Sequence, residues 1–144
     1  MAGNHVAQIA RLERECFSSP WSETALLEEL SNPQAHFLCA VCDGVVAGYI
    51  GVQEIVGEAY ITNIAVFSNF RRQGIGEKLL QSAQNGATER ECVLITLEVR
   101  KSNVPAIALY EKYGFKTVGE RKNFYVSPKE DALIMTKDLR KEEF

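Results

Sequence analysis

A basic, glycine-rich loop between an apolar strand and an amphipathic helix is the feature that most constrains this sequence. The loop, Arg71-Arg72-Gln73-Gly74-Ile75-Gly76, follows the β-forming residues 59–67 and opens a run with apolar residues at helical spacing up to Ala87. The first turn of a helix has unpaired N–H groups and a positive dipole end, and glycine lets an anion approach the backbone. The loop therefore predicts a phosphate site. On this segment alone, a glycine turn with solvated arginines is an equally good interpretation.

The hydrophobic pattern predicts four helices and six strands without repeats or linkers. In the first helix, Val6, Ile9, Ala10, Glu13 and Phe17 fall near helical spacing. The predicted helices are 4–17, a short helix capped by Ser22, the helix from Ile75 to Ala87, and 105–113; the predicted strands are 36–42, 45–53, 59–67, 92–99, 115–120 and 132–135. The Asp43-Gly44 link predicts a type I′ hairpin. This order predicts the α/β class, with one mixed sheet flanked by helices.

Length and composition exclude several classes of protein. The 144 residues are about the length of one domain, so we expect a single domain over residues 1–144. The net charge of −3 argues against general nucleic-acid binding, although a local basic patch stays possible. No apolar run is long enough for a membrane span, and the N-terminus lacks the apolar block of a signal peptide. We therefore expect a cytoplasmic protein without membrane or nucleic-acid partners.

The four cysteines are expected to be free thiols. Cys39 and Cys42 are spaced C-x-x-C, but they lie in a run that reads as a strand, where positions three apart point to opposite faces. Redox pairs of this spacing need a helix N-terminus, and no second cysteine pair or histidine cluster completes a zinc site. We expect no metal.

Glu98 and Tyr110 are the strongest candidates for chemistry. Glu98 interrupts the otherwise apolar run 94–99, where a charged carboxylate needs a partner or a cleft. Tyr110 follows 12 residues later on the next predicted helix. Taken singly, each has an ordinary interpretation: a salt bridge or a strand-edge position for Glu98, and a buried ring with a solvated hydroxyl for Tyr110.

Taken together and in this order, these pieces resemble the GNAT superfamily of N-acetyltransferases. Residues 17–22, 63–66, 97–103 and 108–115 are further similar to the RimI group, bacterial enzymes that acetylate the N-terminal alanine of a small-subunit ribosomal protein. The resemblance spans most of the chain, from Phe17 to Tyr125. It implies a mostly antiparallel mixed sheet that is splayed at the acetyl-CoA site.

The resemblance also implies the roles of individual residues. Glu98 would be the general base, acting through water, and Tyr110 the general acid. Trp21 and Tyr125 would flank the acceptor groove. Acetyl-CoA would contact Ile64, Ala65, Val66, Arg71, Arg72, Gln73, Gly74, Ile75, Gly76, Glu77 and Asn103. The acceptor would be a protein N-terminus, with a ribosomal protein as the implied partner.

Three departures from the family pattern bear on this interpretation. Only three residues precede the first predicted helix, so we expect the usual first edge strand to be missing. Glu77 stands where a basic residue is common, and Phe124 where the group often has tyrosine. Two alternatives stay open: acetylation of a lysine or a small-molecule amine, and a non-catalytic module that binds acetyl-CoA.

Overall fold

The computed structural model describes residues 1–17, 20–71, 73–126 and 128–140, and these contain one sheet covered by helices. The strands are β1 (Ala35–Cys42), β2 (Val45–Ile55), β3 (Glu58–Val66), β4 (Leu94–Arg100), β5 (Lys116–Val126) and β6 (Lys129–Asp138). The helices are α1 (Val6–Cys16), α2 (Glu23–Leu30), α3 (Ile75–Glu89) and α4 (Val104–Lys112), with short 3₁₀ turns at Gly3–His5 and Ser68–Phe70. The predicted α/β class, with a mixed sheet flanked by helices, is confirmed.

The spatial order of the strands is β1-β2-β3-β4-β6-β5, and only the β3–β4 pair is parallel. That pair begins at Glu58↔Leu94 and ends at Tyr60↔Thr96. Beyond this point β3 continues along β2, and β4 continues along β6. The two parallel strands therefore diverge and open the sheet along its middle, as the expected splay requires.

Two apolar clusters pack on the two faces of the sheet. Tyr49 belongs to the cluster under α1 and α2, while its neighbour Ile50 belongs to the cluster under α3 and α4. Adjacent strand residues point to opposite faces, so the two helix pairs cover opposite faces. Cys39 and Cys42 also pack against different clusters, as predicted from their spacing on a strand.

The predicted caps and turns form as their residue types require. Asp43 and Gly44 both have positive φ, 50° and 78°, which is the type I′ geometry. The Ser22 hydroxyl accepts the N–H of Ala25 at 3.1 Å and caps α2. Gly114, with φ of 93°, ends α4.

Several predicted boundaries were wrong, most of all in the last hairpin. β5 and β6 are longer than the predicted 115–120 and 132–135, so most residues between the two predicted strands also belong to strands. Almost every residue of β5 is exposed, and an edge strand without a buried face has no apolar alternation to reveal it. The first helix is shorter than 4–17, and β4 begins at Leu94 instead of residue 92.

In the described part of the chain, the first residues form a 3₁₀ turn and α1, and no strand precedes them. The described residues contain no helix long and apolar enough to cross a membrane. Within the same residues, no group of three or more His, Cys, Asp or Glu could hold a metal ion.

Candidate active site

Glu98 lies where β3 and β4 separate. Its neighbours on β4, Leu97 and Val99, are buried in the α3–α4 cluster, so the alternation directs Glu98 to the other face. Its side chain is only 6% exposed. Oε1 accepts a hydrogen bond of 2.5 Å from the Tyr60 hydroxyl, and Oε2 lies 3.3 Å from Arg121 Nε. The carboxylate is thus held from β3 and from β5.

Tyr60 is the last residue of β3 that pairs with β4, which places its side chain at the mouth of the splay. Burial, and then the hydrogen bond to Glu98, raise the pKa of Tyr60 well above its ordinary value. The phenol therefore stays protonated and donates to the carboxylate at any working pH.

A bulge in β5 shapes the neighbouring wall. Arg121 pairs with Ala132 and Tyr125 with Glu130, so β5 has two more residues than β6 over this stretch. Asn123 adopts positive φ, 54°, and its N–H bonds to the Asp131 carboxylate at 2.8 Å.

The bulge leads into Tyr125, which packs between other side chains of this wall. The Arg100 guanidinium lies 4.3 Å from the centre of the Tyr125 ring, and the Phe124 ring meets the same ring edge-on at 5.0 Å. Burial and the Glu98 charge raise the pKa of Tyr125.

Tyr110 projects from α4 into the core, where it is 6% exposed and packs on Phe115. Burial, with a smaller contribution from Tyr125, raises the pKa of Tyr110 to about 12. Tyr110 belongs to the α3–α4 cluster, whereas Glu98 points to the other face of the sheet, and no hydrogen bond joins the two side chains in the described residues.

The other predicted groove residue, Trp21, lies in the segment between α1 and α2, and no ring contact or hydrogen bond joins it to Tyr125 in the described residues. Its ring packs on Phe37 of β1 with centroids 5.8 Å apart, in the α1–α2 cluster.

The predicted donor end is built largely from main chain. Past Tyr60, the side of β3 toward β4 pairs with no other strand in the residues that the structure describes, and this stretch contains Ile64, Ala65 and Val66. A bulge at Thr62 precedes it, because Asn63 pairs with Gly51 and Ile61 with Val52.

The start of α3 has the features of an anion site. Gly74 is its N-cap, with φ of 75°. The first α-helical bond runs from the Lys78 N–H to the Gly74 carbonyl, so the N–H groups of residues 75–77 have no partner in the helix. A Cβ at Gly76 would meet only a Val66 methyl, at 3.8 Å, so the fold itself does not require glycine there. The Ile75 side chain is core, and Gln73 is exposed.

Three predicted donor-site side chains have other contacts in the structure. Arg71 Nε bonds to the Val66 carbonyl at 3.1 Å. Hydrogen bonds from Tyr113 and from Lys112 lower the pKa of Glu77 and offset its charge. The Asn103 side chain caps α4 by accepting the N–H of Ala106 at 3.3 Å. Arg72 and the Ser18-Ser19 part of the 17–22 motif lie outside the described residues.

Sequence reasoning missed Tyr60 and Arg121, whose contacts with Glu98 link residues 38 and 23 positions apart. It placed Glu13 on the apolar face of the first helix without assigning it a role. Glu13 is fully buried in the structure. A carboxylate among apolar positions was the available signal.

A model of the acetyltransferase (GNAT) family matches residues 6–115. The chain belongs to the acetyltransferase (GNAT) family. Members of this family use acetyl-CoA as the acetyl donor. The predicted family and its donor are therefore confirmed.

Similar proteins carry a more specific name. A Bacillus subtilis protein, provisionally named a ribosomal protein bS18-alanine N-acetyltransferase, is 42% identical over 131 residues, which cover 90% of this chain and 87% of that protein. The Escherichia coli ribosomal protein bS18-alanine N-acetyltransferase is 35% identical over 126 residues, covering 86% and 84%. The crystal structure of the E. coli ribosomal-protein-S18-alanine N-acetyltransferase superimposes with a TM-score of 0.90 at 30% identity, covering 99% of this chain and 93% of that one.

Proposed function

We propose that the protein transfers the acetyl group of acetyl-CoA to the N-terminal alanine of a small-subunit ribosomal protein. The observation that carries the proposal is Glu98, a nearly buried carboxylate at the splay with Tyr60 on one oxygen. The names of the similar proteins supply the acceptor. Such an acceptor puts the reaction in the cytoplasm.

The donor would bind along the main chain of β3 and at the start of α3. The unpaired edge of β3 at Ile64, Ala65 and Val66 suits an extended pantetheine arm, whose amides would pair with it as a strand does. The pyrophosphate would bind to N–H groups of residues 73–77. Gly76 leaves room for this approach, and Arg71, Arg72 and Asn103 are secondary contacts in this arrangement.

Glu98 and Tyr110 would handle the two protons of the reaction. The amine nitrogen attacks the thioester carbon, the C–S bond breaks, and the amine proton passes through water to Glu98. Tyr60 donates to Oε1, whereas Oε2 has the Arg121 cation 3.3 Å away but no hydrogen bond among the described residues, so Oε2 is the oxygen that can still accept one from that water. Burial keeps the Tyr110 hydroxyl protonated, so it passes its proton to the sulfur as the C–S bond breaks; Tyr110 then regains a proton from solvent, and Glu98 releases the amine proton to solvent.

The ionisation of amines favours an N-terminal acceptor over lysine. An α-amine has a pKa of about 7.7–8.0 and a lysine side chain about 10.4, so at neutral pH the fraction of attacking, neutral amine differs by roughly 300-fold. The free energy needed to deprotonate the acceptor with a single glutamate base is therefore smaller for the α-amine than for lysine. Trp21 and Tyr125 are the proposed walls of the groove, in which Phe124 offers a ring edge but no hydroxyl.

A panel of acceptors tests the proposal against both alternatives. We expect turnover with an alanine-initiated peptide, and little with the same peptide acetylated at its N-terminus and carrying a lysine, or with small polyamines. Preference for the lysine peptide or the polyamine would overturn the proposed acceptor. Tight acetyl-CoA binding by calorimetry without turnover on any acceptor would support the non-catalytic module.

A further inference from the structure

The second buried carboxylate, Glu13 at the end of α1, lies outside the reaction described above. Its side chain has no solvent exposure. Oε1 accepts hydrogen bonds from the Tyr49 hydroxyl of β2 at 2.5 Å and from the Asn63 amide of β3 at 2.6 Å. The backbone N–H of Trp21, in the segment that leads to α2, is near enough to lower the pKa of this carboxyl. Glu13 therefore joins α1 to two strands and has the segment that carries Trp21 beside it.

These contacts connect the proposed acceptor wall to the proposed donor strand. Asn63 directly precedes Ile64, where the open edge of β3 is expected to bind the pantetheine arm. Trp21 is linked to the same carboxyl a second time through side chains, because its ring packs on Phe37 and Phe37 packs on Tyr49, with centroids 6.1 Å apart.

We propose that Glu13 is a positioning residue whose protonation state sets the packing of Trp21 at the acceptor groove. This inference rests on the proposed function for the role of Trp21, but the coupling between Glu13 and Trp21 can be measured without substrate.

The direction of the coupling follows from the surroundings of the carboxyl. Oε2 is buried and has no hydrogen-bond partner in the described residues. Burial raises the pKa of Glu13 to about 7, although the donors Tyr49, Asn63 and Trp21 favour its charged form. The packed arrangement thus binds a proton more tightly than a solvated glutamate does. Ionisation must by linkage favour an arrangement in which water reaches the carboxyl.

The titratable and charged groups around Glu13 are few in the described part of the chain. Tyr49 faces it from β2, and Cys16 lies one turn further along α1. The Arg71 guanidinium approaches this region from the end of β3 and lies 3.4 Å from the Cys16 sulfur. The remaining neighbours, Asn63 from β3 and the Trp21 backbone, do not titrate.

Trp21 is the only tryptophan of the chain, so its fluorescence reports on this packing directly. In the free protein, we expect its emission to change between pH 6 and 8 with one midpoint. Glu13→Gln should remove this transition. Tyr49→Phe removes a donor that favours the carboxylate, so it should move the midpoint to higher pH; a merely structural role for Glu13 predicts no such directional shift.

Glu15→Gln is the matched control on the same helix. Glu15 is exposed, and within the described part of the chain its side chain accepts only the Ser68 N–H, at 3.3 Å, so this variant should titrate as the wild type does. A wild-type transition that persists in Glu13→Gln, or a midpoint that Tyr49→Phe leaves in place, would overturn the proposal. So would a flat wild-type titration.

Kinetics extend the test to the acceptor. For the alanine peptide, we expect the KM of the wild type divided by the KM of Glu13→Gln to rise several-fold from pH 6 to 8.5. The acetyl-CoA affinities of the two proteins should keep a constant ratio over the same range. The ionisation of the peptide amine is common to both proteins and cancels in the ratio. A constant KM ratio would overturn the link to the acceptor. Normal fluorescence titrations in a protein that fails to acetylate the peptide would instead remove the proposed function and leave the coupling intact.

Discussion

Glu13 and Glu98 are carboxylates in two regions of the molecule, and the two regions hold them differently. Each accepts a short hydrogen bond from a tyrosine, Tyr49 or Tyr60. Glu98 also has a cation, Arg121, and a small exposed fraction at the splay. Glu13 has only neutral donors among the described residues and no exposure. A counter-cation and access to a cleft stabilise the charged form of a carboxylate and so suit it to proton transfer. Burial among neutral donors makes the charged form unfavourable.

The largest expected effect separates the two carboxylates by turnover. Glu98→Gln should lower kcat by roughly 10²–10⁴, the usual scale for loss of a general base, and leave acetyl-CoA affinity unchanged. Steady-state kinetics and calorimetric titration check this. Glu13→Gln is the matched comparison and should retain most of kcat at pH 6.5. Equal losses of kcat in both variants would remove the distinction between the regions.

Stability against pH sharpens the same comparison. The pKa of Glu13 is about 7 in the folded protein and 4.5 as an ordinary glutamate, so folding favours the protonated form. Its contribution to stability is therefore full below about pH 4.5 and is lost as pH rises to 7. Relative to Glu13→Gln, the free energy of unfolding of the wild type should fall by about 2.5 kcal/mol between pH 5 and 8. Urea denaturation at both pH values measures this difference, and a constant gap between the two proteins would contradict it.

Tyr60→Phe tests how Glu98 is held. Removing a hydrogen bond to a charged group costs about 1.5–3 kcal/mol, so we expect kcat to fall by roughly tenfold or more. Thr96→Val is a control on the same face of β4, because it removes only the 2.8 Å bond to Thr136. If Thr96→Val lowers kcat as much as Tyr60→Phe does, the loss of kcat comes from a disturbance of the strand and not from the lost hydrogen bond to Glu98.

The smallest expected effect concerns the acetyl-CoA end of the site, where main-chain N–H groups and not a carboxylate are proposed to bind the cofactor. Gly76→Ala should leave the fold intact, since its Cβ has 3.8 Å to the nearest atom, and should weaken acetyl-CoA binding by about tenfold through loss of one close approach. Gly74 is a poorer probe than its place in the loop predicts, because any side chain there is strained at φ of 75°. Arg71→Ala, by analogy with exposed ion pairs worth about 0–1 kcal/mol, should change affinity by less than about fivefold. Calorimetry on both variants decides the order.

The candidate site was predictable from sequence where local patterns carry it. Glu98 was visible because it interrupts an apolar strand, and the glycine loop because it joins a strand to a helix. Tyr60 and Arg121 were not, since their contacts with Glu98 depend on how β3, β4 and β5 lie together. The exposed β5 had no buried face to mark its length. The spacing put Glu13 among apolar positions of the first helix, but its charge state also depends on the donors Tyr49 and Asn63, which lie on other elements.

Competition between an α-amine and a lysine in one peptide tests most directly which amine the protein acetylates. A peptide with a free N-terminal alanine and one lysine is incubated with the protein and acetyl-CoA near pH 7, and fragmentation mass spectrometry locates the acetyl group. We expect acetylation of the α-amine to exceed that of lysine by about 100-fold or more, in line with the difference in neutral fraction. Predominant lysine acetylation would contradict an N-terminal acetyltransferase, and acetylation that Glu98→Gln leaves unchanged would contradict the assigned base.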